Sequence, residues 1–278
     1  MRWLDAALNG VLLMLWARLR ARRGRARSAP RNSTLNRAGS ANDRWKWAVF
    51  LSFLFGFRPW MFWLIDTSWD WTPYLHLGVA QLPFNGAHLG LTVCYSILSF
   101  LVWLGVFWIW ISCFFSLGKG SGRDGPAEAW MRTQLGWTAR LPTLLKVTLP
   151  GACLGGAWWA LRPCMVRANM LPPLISPDQA WQEAVLVGCA TLPHWLGAMA
   201  AALFLEGLST YFVLGYSPLL DCAKAAANRM RPLWAWIPAQ WGALELRPFV
   251  GALLLALAAL GMRFGLERLF FHKVTGGG

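Results

Sequence analysis

Charged residues are scarce in this sequence, and acidic residues are the scarcest of them. Only 14% of the 278 residues are charged, and 12 Asp and Glu stand against 26 Lys and Arg. Hydrophobic residues make up 56%, and the mean hydropathy of +0.41 lies outside the range typical of soluble domains. The composition excludes an ordinary soluble globular protein and predicts an integral membrane protein.

Residues and motifs that usually carry catalysis are also missing. No H-E-x-x-H, P-loop, G-x-S-x-G or dinucleotide-binding pattern occurs. The histidines are only four and are scattered: His76, His88, His194 and His272. The cysteines form no C-x-x-C pair and are expected to be small buried side chains: Cys94, Cys113, Cys153, Cys164, Cys189 and Cys222. We therefore predict no enzymatic activity, no catalytic residues and no metal site.

Long apolar runs are what the sequence has in abundance. Five of them are predicted to be transmembrane helices, at residues 45–65, 88–117, 149–166, 184–214 and 249–265. The third run is rich in glycine and contains Arg162 and Pro163, so it either spans or re-enters. Many of the 20 Trp residues lie near the ends of runs, where indole rings favour the membrane interface. We predict an all-α membrane protein with about five spans and two amphipathic surface helices.

The basic residues are distributed unevenly and predict a topology. Eight arginines lie between residues 18 and 37, whereas the loop 66–87 has Asp66 and Asp70 but no Lys or Arg. Five spans place the N-terminus and both basic surface helices on the cytoplasmic, stromal or matrix side, as the positive-inside rule favours. The arginines are expected to contact anionic lipid headgroups. Because nothing aromatic is interleaved with them, nucleic acid is not a predicted partner.

The N-terminal segment has a composition of its own. Residues 3–17 form a short apolar run, interrupted by Asp5 and Asn9, which we interpret as an interfacial helix. Residues 28–44 are predicted to be a flexible polar linker. The Arg-rich and Ser-rich composition is also that of an organelle transit peptide, so a bacterial inner membrane and an organelle inner or thylakoid membrane both stay open. The predicted segments are 1–44, 45–117, 118–182 and 183–278.

Residues 215–260 carry the most informative pattern of the chain. Ser217 can cap a helix that has Pro218 in its first turn and that is expected to stop at Pro232. A short aromatic piece ends at Pro238, and a turn at Gly242 then leads to Glu245, Arg247 and Pro248 at the head of the last apolar run. The pattern predicts a surface helix, a proline-broken elbow and a transmembrane helix.

This order of residues resembles the YggT family of small bacterial and plastid membrane proteins. Their repeat runs Ser-Pro, an amphipathic helix and paired prolines, then Pro, Gly, an acidic residue and Pro before a transmembrane helix. The matching or nearly matching positions are Ser217, Pro218, Pro232, Pro238, Gly242, Glu245 and Pro248. In this chain Glu245 replaces the usual aspartate and Arg247 stands where serine is usual. The resemblance implies a non-enzymatic membrane factor. Relatives are linked with assembly of membrane complexes, including haem attachment to a plastid cytochrome b, and with division, nucleoid distribution and osmotic tolerance.

A weaker copy of the same pattern precedes it. The sequence at 114–118 parallels that at 211–215, with residues 126–139 as the first surface helix. The paired positions are Pro126 with Pro218, Pro142 with Pro232, Pro150 with Pro238, and residues 161–163 with 246–248. We interpret these pairs as an imperfect tandem duplication.

Three polar residues inside the apolar runs are candidates for a site. Arg58, beside Pro59, is a functional candidate by its depth but is expected to snorkel or to bond carbonyls that the proline frees. His194 is expected to hydrogen-bond between helices and is a weak candidate for haem ligation. Glu206 is expected to pair with Arg229 or Arg231, with a coupling-ion site as the alternative.

These features favour an assembly or scaffold factor, or an accessory subunit of a larger membrane complex such as a respiratory or photosynthetic one. Membrane lipids and other membrane proteins are the expected partners, and no cofactor is predicted. A small transporter or channel is the alternative, although the chain shows few paired charges at mid-depth for it. Haem handling is the second alternative.

Overall fold

The structure is a computed structural model that describes residues 2–28, 34–69, 73–84, 88–118, 126–167, 171–173, 176–212, 218–234, 240–241 and 244–274. Helices dominate these ranges, which confirms the all-α class. The α-helices are α1 Arg2–Ser28, α2 Thr34–Trp69, α3 Leu89–Gly118, α4 Pro126–Leu135, α5 Thr143–Arg167, α6 Pro177–Cys189, α7 Leu192–Tyr211, α8 Pro218–Trp234 and α9 Arg247–Val274. A 3₁₀ helix, Gly136–Arg140, follows α4.

Two short hairpins interrupt the helices. The first pairs β1 Tyr74–Leu77 with β2 Ala80–Pro83, inside the segment predicted to be a loop. The second pairs β3 Gln240–Trp241 with β4 Leu244–Glu245 in antiparallel register, within the predicted elbow. Gly78 turns the first hairpin with a φ of +64°, a conformation that glycine adopts without strain.

Five stretches of the described residues are helical, long enough and apolar enough to cross a membrane: Ala48–Ile65, Leu89–Leu117, Thr143–Arg167, Asp178–Tyr211 and Arg247–His272. Each coincides with one predicted run. The uncertain third run is a single helix, α5, of 25 residues that continues through Pro150 and Pro163. At about 1.5 Å per residue it is longer than the hydrocarbon core of a bilayer.

Several predicted boundaries are wrong. Residues 34–44, predicted to be a flexible linker, belong to α2, while residues 29–33 lie outside the described residues. Helix α6 begins at Pro177, between the third and fourth predicted runs, and α9 extends nine residues beyond the predicted end of its run. Pro232 was expected to stop the surface helix, but α8 continues to Trp234. A proline inside one of these helices therefore removes one backbone hydrogen bond and does not terminate the helix.

The fourth run, predicted as one helix, is two helices with a break at Ala190 and Thr191. The Thr191 N–H and hydroxyl both donate to the Gly188 carbonyl, at 3.2 and 2.9 Å, and so close the end of α6. Pro193 follows in the first turn of α7, where a missing N–H costs no helical hydrogen bond.

Contacts divide the chain into two compact units. The first unit is Met1–Leu77 with Gln81–Gly105, and the second is Gly78–Ala80 with Val106–Gly278. In the first unit α1 packs against α2 and buries Asn9, Leu12 and Leu15. The run interpreted as an interfacial helix therefore contributes side chains to a protein core.

The second unit is built mainly on contacts of α7 with α9, of α5 with α6, and of α7 with α8. The apolar face of α8 repeats every three or four residues and is buried: Leu220, Ala223, Ala226, Ala227 and Met230. It packs with Phe114 of α3 and Met131 of α4 in one hydrophobic core. Protein therefore covers the apolar face of this surface helix.

Candidate functional site

Three clusters of charged side chains in the described part of the chain join different helices, in or beside the candidate spans. We name each cluster after its arginine: the Arg58 cluster in the first unit, and the Arg162 and Arg231 clusters in the second unit.

The Arg58 cluster joins α1, α2 and α3 and lies almost entirely out of solvent contact. The guanidinium of Arg58, 1% exposed, forms an ion pair with Asp5 and donates to Asn9 Oδ1 at 2.9 Å. It also donates to the Ser99 hydroxyl at 3.2 Å and to the Ser96 carbonyl at 3.3 Å. The Ser99 hydroxyl and the Asn9 amide donate in turn to Asp5, at 3.3 and 3.4 Å. The arginine charge is therefore neutralised inside the unit.

These contacts correct the expected role of Arg58. Its side chain does not snorkel to the interface, because its partners lie on α1 and α3 and its guanidinium lies 5.2 Å from the centre of the Phe62 ring. The sequence analysis treated Asp5 and Asn9 as interruptions of an apolar run. Their spacing of four residues, which places both on one face of a helix, was the available signal for a shared role.

The Arg162 cluster joins α5 to α6 and is completely buried. Arg162 contacts Glu183 at two points, Nε to Oε2 at 2.7 Å and Nη2 to Oε1 at 3.2 Å, and both residues are 0% exposed. Its Nη1 donates to the Pro172 carbonyl at 2.8 Å. Trp158 Nε1 donates to Glu183 Oε2, and Gln179 Nε2 donates to Oε1, each at 3.2 Å.

Every nitrogen of Arg162 and both oxygens of Glu183 are thus hydrogen-bonded, which is what allows two charges to lie out of water. Arg162 is named in the sequence-based interpretation only within the third run and the proposed repeat, and Glu183 has no predicted role there. The two residues are 21 positions apart. The pair lies near the end of α5 and not at its middle, so the expectation of few paired charges at mid-depth stays a prediction.

The paired positions 161–163 and 246–248 occupy different places in their helices. Arg162 and Pro163 lie near the end of α5, whereas Arg247 and Pro248 begin α9. This pair does not support a tandem repeat, which stays a prediction.

The Arg231 cluster lies at the end of α7 and confirms the expected partner of Glu206. Arg231 Nε lies 3.4 Å from Glu206 Oε1, and its Nη2 lies 3.8 Å from Glu245 Oε2. Glu206 is 6% exposed, and its Oε2 has no hydrogen-bond partner among the described residues. The Tyr211 hydroxyl accepts from the Glu245 N–H at 2.7 Å and donates to the Glu245 carbonyl at 3.3 Å. One arginine and one tyrosine therefore hold α7, α8 and β4 together.

The other motif positions are placed as follows. Pro218 begins α8 and Pro248 is the second residue of α9, as predicted for both. Ser217, Pro238 and Gly242 lie outside the described residues. The carboxylate of Glu245 lies 3.8 Å from Arg231 Nη2.

His194 lies half-buried in the first turn of α7, where its backbone N–H donates to the Thr191 carbonyl at 3.2 Å. Nothing in these contacts favours haem ligation, which stays a prediction for this residue.

All six cysteines are free thiols, but they are not uniformly buried. Cys113 and Cys222 are buried, whereas Cys94, Cys153 and Cys164 are exposed on helix faces, so the expected burial is wrong for these three. Burial, together with the nearby carboxylates Asp221 and Glu128, raises the pKa of the Cys222 thiol on α8 to about 12. The Cys222 thiol is therefore chemically inert at neutral pH.

An open apolar groove of about 460 Å³ runs along α5, α6 and the start of α7. Its floor contains Gly151, Gly155 and Gly188, and its lining includes the exposed rings of Trp159 and Trp181. The glycines allow a close approach of backbones, since a Cβ on Gly155 would lie 2.6 Å from the Ala184 carbonyl oxygen. This is the small-residue packing that membrane helices favour.

Comparison of the chain with protein-family models, with curated proteins and with solved structures finds no match. The resemblance of residues 215–260 to the YggT family therefore stays a prediction, and the function is argued from the geometry.

Proposed function

We propose that this chain is an integral membrane protein without enzymatic activity that acts as an assembly or scaffold factor, or as an accessory subunit, of a larger membrane complex. One observation carries the proposal. Arg58, Arg162 and Glu183 inside its candidate spans are buried and hydrogen-bonded to other helices, while large apolar side chains are turned outward.

The inward charges hold helices together. Arg58, Arg162 and Glu183 are each at most 1% exposed, and each is hydrogen-bonded to neighbouring helices. A site that exchanges ions or substrates needs groups that water or a ligand can reach. Closed clusters of this kind suit a rigid support for other proteins.

The outward faces of α5 and α9 are apolar and are not covered by the rest of the chain. Only 11% of the most apolar stretch of α9 and 17% of that of α5 is buried within the chain. Large side chains on α9 are more than half exposed, among them Leu253, Leu257 and Phe264, and so is Trp181 on α6. Lipid covers some of this surface. Exposed aromatic rings are also the side chains that contribute most to protein interfaces.

The location is part of the proposal. We infer a bacterial inner membrane, or an organelle inner or thylakoid membrane, with the N-terminus on the cytoplasmic, stromal or matrix side. The basic N-terminal segment and the two basic surface helices support this orientation, since Lys and Arg are retained on that side.

The experiment is purification of the tagged chain from its source membrane in a mild detergent, followed by mass spectrometry of the proteins that travel with it. An accessory subunit is expected in one stoichiometric complex. An assembly factor is expected with newly made, unassembled subunits that leave it after a chase. Recovery of the chain alone, or only as a homo-oligomer, would overturn the proposal.

Substitutions on one outward face at a time would then locate the contact. The set Leu253→Ala, Leu257→Ala and Phe264→Ala tests α9, and Trp159→Ala with Trp181→Ala tests the groove. Gly197→Ala on α7 is the control outside the groove, because nothing lies within 4 Å of its added Cβ and it does not line the groove. Loss of partners in one set, with unchanged thermal unfolding, would mark the docking face.

A small transporter is the second candidate, favoured by the helix break at Ala190 and Thr191. Transporters use broken helices to expose backbone groups to a substrate, and Glu206 at the end of the same stretch keeps one oxygen without a partner among the described residues. Ion flux into liposomes tests this candidate. If Glu206→Gln abolishes the flux and Glu267→Gln preserves it, the transporter replaces the scaffold proposal. If the flux equals that of empty liposomes, the scaffold proposal is supported.

A further inference from the structure

We propose that the layer formed by α4, the 3₁₀ helix and α8 binds the headgroups of anionic phospholipids in the surrounding bilayer. The binding residues are two arginines, Arg140 and Arg229, with the apolar side chains of Trp137 and Leu144 beside Arg140. We call these four residues the basic surface. The inference rests on the membrane location in the proposed function, and it does not depend on the scaffold role.

The short connection from the 3₁₀ helix to α5 places Arg140 at the depth of lipid headgroups. It ends the 3₁₀ helix, three residues before α5 begins at Thr143. Lys146, in the first turn of α5, folds back and donates to the Ala139 carbonyl at 3.1 Å, which ties the two helices together. Because α5 is longer than a hydrocarbon core, its first turn protrudes into the headgroup layer.

Arg229 is placed at the same level by its neighbour Arg231. The ion pair of Arg231 with Glu206 holds the last turns of α8 against the end of α7. Glu206 lies five residues before Tyr211, the last residue of α7. The start of α5 and the end of α7 are on the same side of the bilayer if α5 crosses once and α6 with α7 returns once. Helix α4 contacts both the 3₁₀ helix, which ends at Arg140, and α8, which carries Arg229. The two arginines therefore belong to one layer of helices.

Charge complementarity identifies the ligand as an anion. Arg132 and Arg231 in this layer are paired with Glu128 and Glu206, at 2.7 and 3.4 Å. For Arg140 and Arg229, both exposed, no carboxylate of the described residues lies within ion-pair distance. Two arginines of the layer are thus left over after its internal pairs are formed.

The apolar neighbours favour a lipid over an acidic protein. Trp137 is 71% exposed and Leu144 is 73% exposed, and they lie three residues before and four residues after Arg140. An indole ring at the beginning of a span is typical of the membrane interface, and leucine reaches the acyl chains below it. A phospholipid offers a phosphate to the arginine and hydrocarbon to both apolar side chains.

Native mass spectrometry of the full chain in a non-ionic detergent tests the inference. Phosphatidylglycerol and phosphatidylcholine with identical acyl chains are titrated separately. We expect the wild-type chain to bind phosphatidylglycerol more tightly than phosphatidylcholine. In Arg140→Gln/Arg229→Gln the affinity for phosphatidylglycerol should fall about fivefold for each cation removed. Phosphatidylcholine binding should not change, and the preference should shrink as salt rises.

Two control variants keep the test interpretable. Arg140→Lys/Arg229→Lys preserves both charges and should retain the preference. Glu128→Gln/Arg132→Gln removes a neighbouring ion pair and should leave it unchanged. Equal affinity of the wild-type chain for both lipids, or an unchanged preference in Arg140→Gln/Arg229→Gln, would overturn the inference. Capture of an acidic protein through these arginines, without lipid preference, would also overturn it.

Carbonate extraction of the source membrane separates this inference from the proposed function. Release of the chain into the supernatant would remove the membrane location on which the function rests. Retention of the chain in the membrane, without a preference for phosphatidylglycerol, would remove only the inference on lipid binding.

Discussion

At the scale of single residues, Arg162 and Glu183 depend on each other because neither charge reaches water. Glu183→Ala should lower the free energy of unfolding by about 3–5 kcal/mol, since it leaves a buried guanidinium without a counter-charge. Thermal unfolding in detergent, followed by Trp fluorescence, measures the change. The exposed Arg263–Glu267 pair is the control, and Glu267→Ala should cost less than about 1 kcal/mol.

The double variant Arg162→Met/Glu183→Leu distinguishes an uncompensated charge from lost packing. Removing both charges together should restore most of the stability that Glu183→Ala loses. If the double variant is as unstable as Glu183→Ala, the cluster contributes through its shape and hydrogen bonds, and the electrostatic account is wrong.

Cys222 is a second residue whose environment decides its chemistry. With a pKa raised to about 12 by burial on α8, the thiol stays protonated at pH 7.5, and only the thiolate reacts with maleimides. We expect peptide mapping to show no alkylation of Cys222 in the folded chain and full alkylation after denaturation in dodecyl sulfate. Rapid labelling of the folded chain at pH 7.5 would contradict the burial of this thiol.

At the scale of helices, the contact between α5 and α6 depends on glycine. Gly155→Ala places a Cβ 2.6 Å from the Ala184 carbonyl oxygen, so the helices must separate. Overpacking of this kind costs about 1–3 kcal/mol. The adjacent Gly156→Ala meets nothing within 4 Å and should stabilise α5 by roughly 0.5–1 kcal/mol. Thermal unfolding of the two variants should shift in opposite directions, and equal shifts would exclude close packing at Gly155.

The helical elements also show how far the sequence predicts this fold. All five apolar stretches follow from hydropathy, because burial in lipid or protein is a local property of a run. The break at Ala190 and Thr191 was missed because the run was judged by its hydropathy, although Thr191 and Pro193 are residues that favour a helix start. The first hairpin was missed because four-residue strands are too short for alternation to stand out.

The polar clusters were less predictable than the helices, for a different reason. Arg58 and Asp5 are 53 residues apart, and Arg162 and Glu183 are 21 apart, so tertiary packing decides which charges meet. Glu206 with Arg231 was predicted, because both residues lie at the ends of helices joined by a short connection. The pairing of Glu206 with Arg229 or Arg231 could be predicted, whereas the partners of Arg58 and Arg162 depend on packing between segments that are distant in sequence.

At the scale of the whole molecule, each unit buries one charged cluster and exposes large apolar side chains. The Arg58 cluster is internal to the first unit, while Phe53 and Trp60 on the same helix are exposed. The Arg162 cluster is internal to the second unit, while Trp159 and Trp181 on its two helices are exposed. Lipid and protein partners complete such surfaces, which is why the proposed function and the lipid inference concern the outside of the chain.

The number of crossings gives a prediction for the whole chain. Five candidate spans in the described residues are an odd number, so the two ends should lie on opposite sides of the membrane. Epitope tags at each end, with protease added outside sealed vesicles, measure this directly, and detergent-opened vesicles are the control. Digestion of one tag only is expected. If both tags are digested or both are protected, the number of crossings is even, and the break between α6 and α7 then returns the chain to the side from which it came.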